Sequence, residues 1–468
     1  MPLILPGNVA SATASTGYDI ANSCRWNDGD SPSLKDGDGS APAGNRQKFT
    51  WSIWFKRGTL GTTQTLGTTA HSSSDEGYFQ INSDDKFEWD STESNNGNLI
   101  TNRLFRDCSA WYNVIVAVDT TQSTAANRMK IYVNGTQETS FATETYPDED
   151  ASLYWNVGGS YSPWIGTKYG GDYFDGYITE VANIDNAQLA ATSFGEFDSD
   201  SPTIWKPIDL DGLTFGTAGY WLDMEDSSNF GNDVSGVGNH FGTVANLAAA
   251  DQATDTPTNN FCTLNPLIKW YAASTMSEGS MKIVESSGGW GGTKGTMAVS
   301  KGKWYWEVKL SGTVANHLHG VQEINTEGAA TINPQNFDGG SMYYNGDGGE
   351  VKVVQSGSGV TTTADYGTLD SGDILGIALN MDGGSYGQIT FYDENAALVS
   401  NFDMSSDNPE YVAPLGVFLS STAEYNFGGC SAFALTSAAN DENGYGNFEF
   451  APPSGYYALC TKNLAEFG

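Results

Sequence analysis

Apolar and polar side chains alternate with a period of two through most of the chain, which is the pattern of a strand with one covered face. Phe49, Trp51, Ile53 and Phe55 fall on one side of a stretch whose other side carries Thr50, Ser52 and Lys56, interrupted only by Trp54. Trp111 to Asp119 is more continuously apolar, with Val114, Ile115, Val116, Ala117 and Val118 in a row, as a central strand covered on both faces requires. Met129 to Val133 then alternates into Asn134-Gly135, a pair that predicts a tight hairpin turn with both residues at positive φ. Later, Trp304, Trp306, Val308 and Leu310 line one face of a strand while Lys303, Tyr305, Glu307 and Lys309 line the other. Leu375, Ile377 and Leu379 make another strand, followed by a Gly383-Gly384 turn and a return from Ile389 to Tyr392. Helical spacing is nearly absent, and its clearest instance is the short run from Asn186 to Ala191. Short strands with frequent turn signals predict an all-β chain of antiparallel β-sandwiches of the jelly-roll kind.

Residues 199–263 break the pattern. They are rich in Asp, Asn, Gly, Thr and Ala and include the aperiodic run Ala253-Thr254-Asp255-Thr256-Pro257-Thr258-Asn259-Asn260. The expected organisation is therefore an extended arm over 1–20, a first sandwich over 21–198, an irregular connector over 199–263 and a second sandwich over 264–468. Within the connector, Tyr220, Trp221 and Leu222 read as packed on a neighbour. The arm, with small side chains and two prolines, suits docking on another protein.

Composition narrows the partners. The 468 residues include 21 Lys and Arg against 56 Asp and Glu, a formal charge of −35, which repels phosphate backbones and anionic lipid and so argues against nucleic acid and membrane surfaces. Charged residues total only 16%, below the roughly 25% of average globular chains, so the acidity comes as much from scarce Lys and Arg as from abundant carboxylates. No apolar run is long enough for membrane insertion. Cys24, Cys108, Cys262, Cys430 and Cys460 are odd in number, widely spaced and without a C-x-x-C pair, which predicts buried free thiols rather than disulfides or a zinc site. Met1 to Gly7 lacks the basic and apolar regions of a signal peptide, so the expectation is synthesis in a cytosol and release by lysis.

Several stretches carry a family resemblance. Phe49-Thr50-Trp51-Ser52-Ile53-Trp54-Phe55-Lys56-Arg57-Gly58, Ser109-Ala110-Trp111-Tyr112-Asn113-Val114, Ile131-Tyr132-Val133-Asn134-Gly135 and Phe174-Asp175-Gly176-Tyr177-Ile178-Thr179-Glu180-Val181 resemble, in order, a concanavalin A-like jelly roll of laminin-G type. Gly302-Lys303-Trp304-Tyr305-Trp306-Glu307-Val308, Ser371 to Asn380 and Tyr425-Asn426-Phe427-Gly428 resemble a SPRY domain, departing from it at Asp393-Glu394-Asn395, where many members have Asn-Gly. Together with the Asp255 to Phe261 connector, the pair is similar to structural proteins of marine bacteriophages of tail-fibre, head-fibre or decoration type. The resemblance implies a non-enzymatic component of the virion surface that attaches to host cell-surface polysaccharide or to other virion proteins, with a homo-oligomer, such as a trimer, left open. A purely structural decoration protein, a secreted lectin and a laminarinase-like hydrolase are the alternatives.

The hydrolase alternative rests on Glu88-Trp89-Asp90-Ser91-Thr92-Glu93, which matches the Glu-x-Asp-x-x-Glu string of those enzymes. A retaining glycosidase needs two carboxyl groups about 5 Å apart, and strand alternation puts Glu88 and Asp90 on one face but leaves Glu93 off it unless a bulge intervenes. The polar run that follows reads as a strand ending in a loop, so no enzyme is expected. Calcium is the better chemical candidate: Asp28, Asp30, Asp36 and Asp38 alternate with glycines in loops, against the plain reading of solvated turns. His317 and His319 share a strand face without a third ligand in view. Ligand contacts are assigned to aromatics set among glycines, Tyr161, Trp164, Tyr169 and Tyr173, with Trp290, Tyr343 and Tyr344 as counterparts in the second half; packing roles for the same residues stay open.

Overall fold

The computed structural model describes residues 3–6, 17–37, 41–72, 75–91, 97–269, 274–286, 288–324, 341–355, 359–404 and 410–468. The chain divides into two units, one of residues 14–258 and the other of residues 1–13 together with 259–468.

In the first unit the strands run β1 (Ser23–Trp26), β2 (Ser33–Lys35), β3 (Lys48–Arg57), β4 (Gln64–Ser72), β5 (Asp75–Ile81), β6 (Lys86–Ser91), β7 (Asn98–Leu104), β8 (Tyr112–Asp119), β9 (Met129–Val133), β10 (Thr136–Gln137), β11 (Phe141–Thr145), β12 (Ser162–Ile165), β13 (Gly176–Asp185), β14 (Gly195–Phe197), β15 (Trp205–Pro207), β16 (Tyr220–Leu222), β17 (Thr243–Ala245) and β18 (Gln252–Ala253). One antiparallel sheet has the order β10-β9-β8-β3-β13-β1-β18, with β16 also on β13; the other has the order β11-β7-β6-β5-β4-β12-β2-β17. The alternation in β3 sends Phe49, Trp51, Ile53 and Phe55 into a shared core with Phe79, Phe87 and Trp89 of the second sheet. Trp51 stacks on Phe79 with centroids 4.6 Å apart, and Trp155 closes on both. Each such ring removed from water contributes about 1.5–3 kcal/mol. The Asn134-Gly135 turn forms as expected, at φ 47° and 75°.

The polar face of β3 is also buried, which the alternation did not foretell. Thr50, Ser52, Lys56 and Arg57 are all at most 2% exposed. Each polar group therefore takes a partner from far along the chain. Lys56 Nζ lies 2.7 Å from Asp255 Oδ2, Trp111 Nε1 donates to Asp255 Oδ1 at 3.0 Å, and Ser23 Oγ donates to the Asp255 carbonyl at 2.6 Å. Arg57 is held by Asp85 at 2.7 Å and by the Phe105 carbonyl at 3.0 Å, and its burial lowers its pKa. On β13 a bulge between Thr179 and Ala182 holds Glu180 at φ 51°, where it accepts from Trp221 Nε1 (2.7 Å) and Tyr18 Oη (3.2 Å); burial pushes its carboxyl up to about 8.

Residues 199–258, expected as a connector, supply β15, β16, β17 and β18 and the Asp255 anchor to this first unit. The run 186–191 is not a helix. Asn186 sits at φ 65°, Leu189 N–H donates to Thr50 Oγ1, and Thr50 in turn donates to the Ala187 carbonyl, so the segment is pinned across β3 and only Ala191–Ser193 makes a 3₁₀ turn.

The second unit's strands are β19 (Thr275–Ser277), β20 (Lys282–Val284), β21 (Trp290–Lys294), β22 (Lys303–Ser311), β23 (His317–Glu323), β24 (Ser341–Asn345), β25 (Glu350–Gln355), β26 (Gly359–Asp365), β27 (Ile374–Asn380), β28 (Gln388–Asp393), β29 (Ala396–Asp403), β30 (Val412–Leu419), β31 (Thr422–Asn426) and β32 (Tyr457–Ala458). They make sheets of order β19-β20-β31-β22-β27-β28-β29 and β21-β30-β23-β24-β25-β26, with β32 parallel to β22. Trp304, Trp306, Val308 and Leu310 enter the core as the alternation predicts. The opposite face of β22 is again covered: Glu307 is fully buried and accepts from the backbone N–H of Phe450 (2.8 Å) and Glu449 (3.0 Å) and from Asn426 Nδ2 (3.0 Å). At Asp393-Glu394-Asn395 the turn is made with Glu394 at φ 52° in place of the glycine. Of the expected arm, Ile4 forms a parallel bridge to Met297 of the same unit.

The Lys56–Asp255 pair should be strongly coupled. Lys56→Met leaves a buried carboxylate with its main partner gone and should lower the unfolding free energy by about 3–5 kcal/mol in urea titration, whereas Lys56→Met with Asp255→Leu should recover most of that loss. Losses that simply add in the double variant would show that the pair is not coupled.

Candidate functional site

The outward face of the second sheet of the first unit collects the chemistry. In β6, Phe87 and Trp89 point into the core, so Glu88 and Asp90 point out. In β5 the same logic sends Phe79 and Ile81 inward and Glu76, Tyr78 and Gln80 outward, and in β12 it sends Ile165 inward and Trp164 outward. The register lines up Lys35, Trp164, Thr68, Tyr78, Asp90 and Asn98 as successive cross-strand partners across β2, β12, β4, β5, β6 and β7. Such neighbours have Cβ atoms about 4.5–5.5 Å apart.

Lys35 Nζ sits 4.7 Å from the Trp164 ring, and Tyr169, half exposed and at φ 46°, meets the edge of that ring at 6.5 Å. Lys168 Nζ lies 3.8 Å over the Tyr78 ring and 3.0 Å from Glu76 Oε1. Glu88 Oε2 accepts from Asn82 Nδ2 (3.1 Å) and Asp90 Oδ2 from Asn98 Nδ2 (2.9 Å). Burial raises the carboxyls of Glu76 and Asp90 above their usual range, Lys168 acting against it, and burial beside Asp90 and Glu88 raises the Tyr78 phenol. A flat aromatic edge beside amides and carboxylates fits the apolar C–H face and hydroxyl rim of a sugar. Glu93, the third residue of the glucanase-like string, lies outside the described residues.

The other expected residues disperse. Tyr161 stacks on Tyr154 at 5.6 Å, near His71, and lines a small cavity of about 20 Å³ with Asp36, Trp155, Asn156, Tyr220 and Asn239. Tyr173 is half-buried beside the Lys168–Gly171 turn. Asp28 and Asp30 lie on a 3₁₀ turn, where Asn27 Nδ2 donates to Asp30 Oδ2. Burial and the charge of Asp233 raise the Asp36 carboxyl, while Asp38 lies outside the described residues. Asp233 is itself saturated by the N–H groups of Trp221, Ser235, Gly238 and Asn239. Among the described residues no three His, Cys, Asp or Glu side chains come together; Asp38, the fourth of the expected calcium ligands, is not among them.

In the second unit Tyr343 and Tyr344 are on β24, not in a turn, and both are buried: Tyr343 packs with Leu318, Leu415 and Val417, and Tyr344 Oη donates to the Gly367 carbonyl at 2.8 Å. Trp290 is half-buried against the same apolar group. Tyr343 and Tyr344 are thus placed as the packing alternative has them, and Trp290 is in part. His317 and His319 are fully buried in a directional chain. Tyr425 Oη donates to His319 Nδ1 (2.9 Å), His319 Nε2 to His317 Nδ1 (3.1 Å) and His317 Nε2 to the Ser311 carbonyl (3.2 Å), an assignment in which every proton has one place and both rings are neutral. Burial pushes His317 down to about 4, and burial with the neighbouring His317 holds His319 well below its usual value. With both ends of each ring occupied, the pair has no lone pair left for a metal.

Residues 29–191 match the family described as the concanavalin A-like lectin/glucanases superfamily. Among solved structures, the chain is similar to the SPRY domain of human HERC1 (14% identity, 36% of this chain and 99% of that one, TM-score 0.28). It is similar also to a heptameric SAP-like pentraxin from Limulus polyphemus (18%, 37% and 80%, 0.28) and to domains LG4-5 of the mouse laminin α1 chain (11%, 94% and 96%, 0.29). No curated protein sequence matches. The first sandwich thus has a concanavalin A-like, laminin-G fold, which often serves as a binding module, and no helix among the described residues is long and apolar enough to cross a membrane.

The histidine chain sets an acid limit. A depressed histidine pKa contributes stability that is present above the unfolded value of about 6.5 and is lost as pH falls through the folded value. Buried carboxyls such as Glu180 act in the opposite direction, so the measure is the difference between proteins: from pH 6.5 to 4 the wild type should lose melting temperature relative to His319→Gln, and parallel pH profiles of the two would overturn the assignment.

Proposed function

We propose that this chain is a non-enzymatic attachment protein carried on the outside of a bacteriophage particle, and that its first sandwich holds a host cell-surface polysaccharide on the outward face around Trp164. The observation that carries the reading is the row of Lys35, Trp164, Thr68, Tyr78, Asp90 and Asn98, which sets an aromatic platform beside hydrogen-bonding groups. The resemblance to phage structural proteins supports the setting, and the charge of −35 suits display in a salty medium, where screening shortens the reach of self-repulsion. Free cysteines without disulfides agree with folding in a reducing cytosol before release. Other virion proteins are the expected neighbours on the particle, and attachment to them rather than to the host is the rival reading.

Recombinant full-length protein should bind host cells or their purified polysaccharide without releasing reducing sugar, and Trp164→Ala should weaken binding about ten-fold with unchanged circular dichroism. No binding by the wild type would favour a decoration role. Sugar release abolished by Glu88→Gln would make the chain a hydrolase.

A further inference from the structure

The face around Trp164 has an imbalance of hydrogen-bonding character. Glu88 and Asp90 project from it two residues apart on β6; Glu88 accepts from the Asn82 amide and the Tyr78 phenol, and Asp90 from the Asn98 amide and the Ser91 backbone N–H. Neither carboxylate is ion-paired among the described residues. Gln80, directly opposite Glu88 on the same face of β5 and 94% buried, has an Oε1 without a hydrogen-bond donor among the described residues. A buried acceptor with no donor beside two carboxylates that lack a contacting cation leaves a local excess of negative potential, which Lys168 offsets only in part from across the Tyr78 ring. Thr65, the partner of Gln80 on β4, has a hydroxyl that is likewise without a partner.

The chain itself shows how an ammonium sits here. Lys168 Nζ rests over the face of Tyr78 and against Glu76, the outward residue two positions before Tyr78. That ammonium is matched by Glu76; the Glu88–Asp90 side of the same ring has no such cation. Beside it stand Trp164 and the half-exposed Tyr169, a surface for a flat, partly apolar ligand.

We propose that this face selects a glycan bearing free amino groups, a chain of deacetylated hexosamines in which the ammonium of one sugar lies between Glu88 and Asp90 while the ring of another, further along the chain, packs on Trp164 three strands away. The assignment rests on the glycan-binding reading above and adds the chemical class. Sulfated and uronic-acid polysaccharides are disfavoured, because their charges would face Glu88, Asp90 and the nearby Asp172.

Calorimetry of the full chain with three probes tests this: a β-1,4-linked glucosamine tetramer, its N-acetylated counterpart and dextran sulfate. The glucosamine tetramer should bind at least about ten-fold more tightly than either of the others, and Glu88→Gln and Asp90→Asn, both close to isosteric, should each weaken it about ten-fold while the melting temperature holds. Equal binding of the N-acetylated tetramer, or variants that bind as well as the wild type, would overturn the proposal. So would a lysine tetrapeptide that binds as tightly as the sugar, since the face would then read charge without a ring. If the glucosamine tetramer fails while host polysaccharide still binds through Trp164, the amino-sugar assignment falls and the attachment reading stands.

Discussion

The structure of the first sandwich hangs on the burial of Lys56. A central strand that hides both faces can be apolar on both, as β8 nearly is, or it can carry polar groups on one face and meet each of them with a partner. β3 takes the second course. Asp255 neutralises Lys56 from 199 residues away and is steadied by Trp111, and Asn113 ties Ser52 to the Trp205 indole. Isolated, either charge would be too costly to bury, so the strand and the segment that covers it stand or fall together. The second unit repeats the solution with different residues: Glu307 on β22 collects the N–H groups of Glu449 and Phe450 and so fastens the closing segment over the strand.

This is why the strands were legible in the sequence and their surroundings were not. The alternation of Phe49, Trp51, Ile53 and Phe55, or of Trp304, Trp306, Val308 and Leu310, is a local signal that the core confirms residue by residue. The partners of Lys56 and Glu307 are single polar residues in aperiodic stretches, and nothing local marks Asp255 as an anchor rather than part of a linker. The 186–191 run failed for the same reason, since Thr50, on a different strand, decides its conformation. In the site, Trp164 and Tyr169 were visible as aromatics among glycines, whereas Glu76 and Tyr78 join them only through cross-strand register, by the pairing of β12 with β4 and of β4 with β5. Tyr343 and Tyr344 looked like a turn because Asn345-Gly346 follows them, yet the turn lies just beyond and the two rings belong to β24.

The charge balance also takes on a different meaning. With 21 Lys and Arg in 468 residues, the molecule has few cations, and several of them are committed internally: Lys56 to Asp255, Arg57 to Asp85, Arg25 to Asp251 and Lys168 to Glu76. Each of these pairs is neutral, so the whole surplus of carboxylates rests on the remaining groups, Glu88 and Asp90 on the face around Trp164 among them.

The pairing of β1 with β18 has a topological consequence. Ser23 lies opposite Ala253, and Ile20 and Thr258 exchange hydrogen bonds, so the chain enters and leaves the first sandwich at one point. Ile4, meanwhile, is bonded to Thr296 and Ala298 of the other unit. The first sandwich is thus a cassette spliced into the second, and its host fold sees it as a long loop whose ends are already joined. Closing so long a loop costs little more than closing a short one, because the entropy grows only with the logarithm of length. Any sandwich whose first and last strands lie side by side, as β1 and β18 do, would present the same pair of adjacent chain ends to the flanking sequence.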